Sequence, residues 1–233
     1  QYATVEEGVA RATVEAAWAA GVRYFDTAPR YGYGLSERRF GDALRGHPRG
    51  DFVLSTKVGV VLRPRAGPGE TGDMFVEPLP FAQIYDYSYD GVMRSFEDSL
   101  QRLGLARIDL VLVHNLDAQV HGEDALPGLF GTAMAGGVRA LEALRSEGAI
   151  AAFGLGVNRS QVCEAALEAA DFDCFLLGGL YTLLTQAPLA TLLPKCAARG
   201  VSIICGAPYN GGALFQNQRI GAVCARHGVP AGA

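Results

Sequence analysis

Short runs of β-branched and aromatic residues alternate with amphipathic helical stretches along this chain. The runs predict six strands, at residues 22–28, 52–59, 109–115, 150–157, 174–179 and 201–208. Apolar residues three and four positions apart predict helices at 5–20, 36–45, 90–103, 137–147, 160–170, 189–199 and 219–227. Such alternation is typical of βα units in a parallel sheet that is buried on both faces.

Repeated units of helix, glycine and strand are compatible with two folds, an open doubly wound sheet or a (β/α)8 TIM barrel. A doubly wound dinucleotide fold is expected to carry GxGxxG after its first strand, and residues 32–37 lack the third glycine. We therefore predict an α/β barrel of one domain covering residues 1–233. The long segments 63–89 and 116–135 are expected to lie over its catalytic face as loops.

Composition excludes several classes of protein. A formal net charge of −4 provides no broad positive field for nucleic acid or anionic lipid, and no apolar window approaches the length of a membrane span. The cysteines are isolated from one another and form no CxxC pair, which predicts reduced core thiols; they are Cys163, Cys174, Cys196, Cys205 and Cys224. No signal peptide opens the chain, so we expect a cytoplasmic protein.

Three ionisable residues stand at the carboxyl ends of otherwise apolar predicted strands. They are Asp26 in YFDTA, Lys57 in LSTKVG and His114 in LVHN. Any one of them is equally well explained as a structural polar group. Because the carboxyl ends of barrel strands meet at one mouth, where catalytic groups gather, the three together predict a catalytic site.

Tyr31 follows Asp26 by five residues, in the loop that leaves the same strand. An ammonium such as Lys57 would stabilise its phenolate, and Asp26 would hold the lysine, so the three predict a tuned acid/base. His114 would orient a substrate carbonyl or assist the proton transfer. Lys57 could instead form a Schiff base, and the residues alone do not separate these two chemistries. The remaining histidines stand apart from one another, so no metal site is expected.

Three longer segments carry a resemblance to a known family. Residues 22–44 (VRYFDTAPRYGYGLSERRFGDAL), 54–59 (LSTKVG) and 99–117 (SLQRLGLARIDLVLVHNLD) resemble, in order and spacing, the signatures of the aldo-keto reductase superfamily. Its members are TIM barrels that transfer a hydride between a nicotinamide cofactor and a carbonyl or alcohol. The resemblance implies a catalytic tetrad with Tyr31 as general acid/base, made of Asp26, Tyr31, Lys57 and His114.

The same resemblance implies that NAD or NADP is the cofactor. Asn158 in FGLGVNRS matches the residue that holds the nicotinamide carboxamide. The segment CGAPYNGGAL resembles the loop that straddles the pyrophosphate, which makes four residues cofactor candidates: Gly206, Ala207, Tyr209 and Gly211. Two glycines, Gly178 and Gly206, stand where the family usually has a glutamine and a stacking tyrosine.

Residues 85–105 and 176–186 resemble the sugar-oxidising branch of the family, the aldose 1-dehydrogenases. This implies oxidation of a sugar C1 hydroxyl to a lactone, with a small-molecule sugar or carbonyl as substrate. Two alternatives are an NADPH-dependent aldehyde or ketone reductase and a nucleotide-sensing regulatory subunit with little turnover. Compared with the barrel of this family, we expect the chain to lack the first strand and the last strand region.

Overall fold

A curled sheet of six parallel strands forms the centre of the computed structural model, which describes residues 3–65 and 75–210. The strands are β1 (Tyr24–Asp26), β2 (Val53–Val58), β5 (Leu110–His114), β6 (Ala152–Val157), β7 (Cys174–Gly178) and β8 (Ser202–Gly206). They pair in that order, each parallel to the next. All six predicted strands are confirmed, each shorter at one or both ends than its hydrophobic run.

Helices alternate with the parallel strands along the chain, beginning with a helix before β1. They are α1 (Glu7–Ala19), α2 (Leu35–Leu44), α3 (Tyr89–Leu103), α4 (Ala118–His121), α5 (Leu126–Thr132), α6 (Val138–Ser146), α7 (Ser160–Ala169) and α8 (Leu192–Arg199). Six of the predicted helices are confirmed, and the seventh, at 219–227, lies outside the described residues. Helix α3 shows how local sequence sets the ends: the Ser88 hydroxyl accepts from the Gly91 N–H, and Gly104 ends the helix at φ 61°.

The sequence predicted loops for the two long segments, but both contain regular secondary structure. β3 (Val60–Pro64) and β4 (Phe81–Tyr85) form an antiparallel hairpin, and α4 and α5 lie within residues 116–135. Gly59, at φ 89°, turns the chain out of β2 and into β3. Pro64 lies within β3, and Pro127, Gly128 and Gly131 lie within α5, so these residues do not prevent regular structure here.

Alternating residues of the strands serve two separate apolar clusters. Residues on one face, such as Phe153 and Leu155, pack with the helices in the main core. Leu110, Leu112 and Leu176 face the other way and form a smaller cluster with Cys174. This is the arrangement expected of a barrel wall, and it confirms the predicted fold class.

A buried carboxylate joins three elements next to the predicted lysine strand. Glu37 of α2 is fully buried, accepts from the Thr56 hydroxyl of β2 at 2.7 Å and pairs with Arg102 of α3 at 2.5 Å. Burying a charge is costly unless it is paired and hydrogen-bonded, and both conditions are met. The network therefore fixes the two helices against the strand that carries Lys57.

Three of the predicted core thiols, Cys163, Cys174 and Cys196, are free and buried. The prediction was wrong for Cys205, which is exposed. It lies on β8, which has a strand neighbour on one side only among the described strands, so its surroundings leave it open to solvent. Cys224 lies outside the described residues. Within residues 3–65 and 75–210, the helices are too short or too polar to cross a bilayer.

The close crossing of α2 and α3 gives a stability prediction. A Cβ at Gly41 would lie 2.1 Å from the Leu103 carbonyl oxygen, so Gly41→Ala must push the helices apart. We expect it to lower the free energy of unfolding by about 1–3 kcal/mol in urea titrations. Gly46→Ala, where a Cβ meets nothing within 4 Å, is the control and should change it by less than about 0.5 kcal/mol. Equal effects of the two substitutions would contradict the packing argument.

Candidate active site

A buried ion pair lies at the carboxyl ends of β1 and β2. The Lys57 ammonium donates to Asp26 Oδ2 at 2.6 Å and to the Thr27 carbonyl oxygen at 2.8 Å. Asp26 Oδ1 in turn accepts from the Ser55 hydroxyl at 2.5 Å. Parallel pairing places Asp26 opposite Ser55, so the register itself brings the carboxylate within reach of the next inward side chain, Lys57. Lys57 is only 1% exposed, and its charge is therefore balanced inside the protein.

Opposing effects act on the pKa of Lys57. Burial alone would lower it, but the charge of Asp26 and interactions with Asp26 and Tyr31 outweigh burial, so the pKa is raised above its usual value. The side chain therefore stays an ammonium at neutral pH. Its Nζ lies 4.7 Å from the centre of the Tyr31 ring.

The loop after β1 turns Tyr31 back over the strand ends. The Tyr31 N–H donates to the Ala28 carbonyl oxygen at 3.1 Å, and Tyr33 adopts a left-handed conformation at φ 54°. The Tyr31 ring meets the His114 ring edge-on, with 5.6 Å between centres. The structure thus brings together all four residues of the predicted tetrad, whose catalytic roles stay a prediction.

His114 is a buried neutral imidazole. Burial, then the nearby charges of Lys57 and Arg30, hold its pKa well below the usual range. Among the described residues, nothing hydrogen-bonds its buried Nδ1. The Tyr87 hydroxyl donates to the His114 carbonyl oxygen at 2.8 Å and lies 2.8 Å from His121 Nε2, so the backbone of His114 is held from behind.

A cavity of about 640 Å³ opens between β1 and β8. Asp26 and Tyr31 line it from one side, and Asn158 lines it from the end of β6. Of the predicted cofactor residues, Asn158, Gly206 and Ala207 lie on its wall. Tyr209 is 55% exposed, and Gly211 lies outside the described residues.

Three further residues belong to this site and were not predicted. Tyr24 lines the cavity and hydrogen-bonds Ser55 across 2.9 Å, and burial raises its pKa to about 12. Tyr24 and Ser55 lie two positions before Asp26 and Lys57, so strand periodicity could have placed them on the same face. Asn210 also lines the cavity, with a buried Oδ1 that has no hydrogen-bond partner in the described part of the chain. Nothing in its loop sequence distinguishes it from a turn residue.

No group of three or more histidines, cysteines or carboxylates within residues 3–65 and 75–210 is arranged to hold a metal ion.

Comparison with known proteins adds to this geometry. A sequence model of the Aldo/keto reductase family matches residues 1–229. The chain is 44% identical to the pyridoxal 4-dehydrogenase of Microbacterium luteolum over 224 residues, which are 91% of this chain and 65% of that protein. It is 36% identical to the D-threo-aldose 1-dehydrogenase of a Pseudomonas species over 254 aligned positions, 98% of this chain and 74% of that protein.

Among solved structures, the holo form of the aldo-keto reductase AKR11C1 from Bacillus halodurans superposes with a TM-score of 0.70 at 27% identity. The match covers 91% of this chain and 61% of that one. The chain therefore spans less than two thirds of the length of this structure and of the pyridoxal 4-dehydrogenase.

The Lys57–Asp26 pair gives a second stability prediction. Asp26→Asn leaves a buried ammonium without its counter-charge and should lower the free energy of unfolding by about 3–5 kcal/mol. Asp98→Asn is the matched control, because Asp98 pairs with Arg94 on the surface of α3, and it should cost about 0.3–0.5 kcal/mol. Denaturant titration of both variants checks this. A small effect of Asp26→Asn would mean that the pair contributes little.

Neutral His114 predicts a pH dependence of stability. Its folded pKa lies below the unfolded value of about 6.5, so its contribution is complete above pH 6.5 and is lost as the pH falls below that value. Below pH 6.5, the free energy of unfolding of the wild type should fall by up to about 1.4 kcal/mol per pH unit more than that of His114→Gln. Unfolding free energies measured from pH 7.5 to 5 test this. Parallel curves for the two proteins would contradict a buried neutral imidazole.

Proposed function

Because the chain belongs to the aldo/keto reductase family, we propose that it transfers a hydride between NAD or NADP and the C1 hydroxyl of an aldose, yielding the lactone. One observation carries this proposal: the buried Lys57–Asp26 pair adjoins Tyr31 and a neutral His114, and Tyr31 shares a cavity with Asn158. When bound, a nicotinamide cofactor accepts the hydride that leaves C1. The remaining work falls to side chains of this chain.

Tyr31 is proposed as the general base of the oxidation and as the general acid of the reverse reaction. In the oxidation, the C1–H bond gives up its electron pair as hydride, the C1 hydroxyl gives its proton to the Tyr31 oxygen, and the C1–O bond becomes a carbonyl. Lys57 Nζ lies 4.7 Å from the centre of the Tyr31 ring, so the positive charge of the lysine faces the proposed proton acceptor. Asp26 and the Thr27 carbonyl oxygen keep the lysine aimed and charged.

His114 is proposed to orient the reacting oxygen. A neutral imidazole carries one N–H donor and one lone pair, so it can hydrogen-bond the substrate oxygen without bringing a second positive charge to the site. Its ring meets the Tyr31 ring edge-on, which places both groups at the same mouth. Tyr87 steadies the His114 backbone and thereby the position of the ring.

The polar groups and glycines of the cavity wall suit a cofactor that carries an amide. Asn158 offers an amide donor and acceptor, and Asn210 offers a buried oxygen without a partner among the described residues. Gly178 and Gly206 contribute backbone without side chains, and a Cβ at Gly206 would lie 2.8 Å from Leu176. We therefore assign Asn158 to the carboxamide of the nicotinamide, and Gly206, Ala207 and Asn210 to further contacts with the cofactor.

A second candidate substrate is pyridoxal, favoured by the 44% identity to a pyridoxal 4-dehydrogenase. An aldose in its ring form bears the C1 hydroxyl on a hemiacetal carbon. Pyridoxal carries a hydroxymethyl group next to its aldehyde and closes to a cyclic hemiacetal as well. The same loss of hydride and proton turns either hemiacetal into a lactone, so one arrangement of Tyr31, Lys57 and His114 serves both.

Absorbance at 340 nm tests the proposed function. With NAD or NADP and a panel of L-fucose, D-arabinose, L-galactose and pyridoxal, we expect substrate-dependent formation of the reduced cofactor. Tyr31→Phe removes the proton acceptor and should lower kcat by about 10²- to 10⁴-fold. Its dissociation constant for the cofactor, measured by fluorescence titration, should stay unchanged and serves as the control for folding.

Three results would contradict this function. Turnover that survives in Tyr31→Phe would remove Tyr31 from the chemistry. Reduction of aldehydes without oxidation of any hemiacetal would favour a carbonyl reductase, and tight cofactor binding without turnover in either direction would favour a sensing subunit.

A further inference from the structure

Asp117 is a fully buried carboxylate that the proposed reaction does not use. It lies three residues after His114, in the loop that leaves β5. Its Oδ2 accepts from the Asn158 N–H at 2.9 Å, and its Oδ1 accepts from the Val120 N–H at 3.3 Å. The side chain therefore links the loop that follows the His114 strand to the residue that follows β6.

The other side of Asn158 is confined by Gly178. A Cβ at position 178 would lie 2.6 Å from Asn158 Oδ1, closer than van der Waals contact allows. The amide of Asn158 thus fills the space that a side chain on β7 would occupy. Its backbone is held by Asp117, and its side chain is held against the bare backbone of Gly178.

We propose that Asp117 is a positioning residue that orients Asn158 toward the nicotinamide carboxamide. This inference rests on the proposed function, because it presumes that Asn158 contacts the cofactor. A carboxylate that accepts a backbone N–H makes a stronger hydrogen bond than a neutral acceptor, and burial keeps water from competing for it. Asp117 therefore limits the positions open to Asn158, on the cavity wall that Tyr31 also lines.

The effect should be confined to the nicotinamide end of the cofactor. ADP-ribose, or its 2′-phosphate where NADP is the cofactor, has the adenosine and phosphate groups but no carboxamide. If Asp117 acts through Asn158, its loss weakens binding of the dinucleotide and leaves binding of this fragment unchanged. A merely structural role would weaken both.

The chain offers a matched control in Asp173. Asp173 Oδ2 accepts from the Phe153 N–H at 2.9 Å, the same bond made to the opposite end of β6. Asp173→Asn therefore disturbs a carboxylate-to-backbone hydrogen bond on the same strand, away from the cavity, together with the ion pair between Asp173 and Arg145. It should leave the binding of both ligands unchanged, whatever it does to stability.

Calorimetric titration of the full chain with the dinucleotide and with the fragment tests the proposal. We expect Asp117→Asn to raise the dissociation constant of the dinucleotide about tenfold, as for a lost hydrogen bond to a charged group, without changing that of the fragment. Asn158→Ala should weaken the dinucleotide similarly. The double variant should be little worse than either single one, because both act on one contact.

Gly178→Ala approaches the same contact from the other side and serves if Asp117→Asn does not fold. It displaces Asn158 Oδ1 and should show the same selective loss of dinucleotide binding. Additive effects in the double variant, or equal weakening of dinucleotide and fragment, would overturn the positioning role. Unchanged dinucleotide binding in Asp117→Asn would overturn it while leaving the proposed function intact. Failure of the wild type to bind either ligand would overturn both.

Discussion

The rest of the site depends on keeping the Lys57 ammonium charged inside the protein. An isolated buried ammonium would lose its proton, and here the Asp26 carboxylate and the Thr27 carbonyl oxygen prevent this. Both partners come from the end of β1, so the pair requires β1 and β2 to run parallel in one register. The neighbouring Thr56 holds the outer side of β2 to Glu37 and α2. The charge of Lys57 is therefore balanced only when β1 and β2 pair in this register.

The hairpin that leaves β2 connects the lysine strand to the histidine strand. Just after β4, the Tyr87 ring packs directly against Gly59, where a Cβ would lie 2.5 Å from a ring carbon. The Tyr87 hydroxyl donates to the His114 carbonyl oxygen. Tyr85 accepts from Arg30 and Asn115, each at 3.3 Å, so the hairpin also touches the residue before Tyr31. The distances among Lys57, Tyr31 and His114 are therefore set both by the strand pairing and by the contacts of Tyr85 and Tyr87.

Residues that act at strand ends were predictable, because parallel strands place their carboxyl ends at one edge whatever the details of packing. Asp26, Lys57 and His114 could be read in this way, and Tyr31 followed from its short distance along the chain. Asp117 and Asn210 could not, since their roles depend on how separate loops come together: Asp117 accepts from Asn158 across 41 positions, and Asn210 lines the same cavity as Tyr31. The β3–β4 hairpin was missed because its glycines and prolines outweighed two runs of only five residues.

Glycines present bare backbone at several places on the wall at the mouth of the barrel, among them Gly178, Gly179 and Gly206. A Cβ at Gly156 would already touch Lys57 Cε at 3.4 Å, and Gly178 and Gly206 have even less room. The glycine positions have no rotamers to immobilise when a ligand binds, which spares about 0.5–1.5 kcal/mol for each flexible side chain that would otherwise be ordered there. Because they lack side chains, these glycine positions also contribute little to discrimination between ligands. Discrimination between substrates must then come from other residues at the mouth, in those parts of the loops that do not hold the lysine, the tyrosine or the histidine.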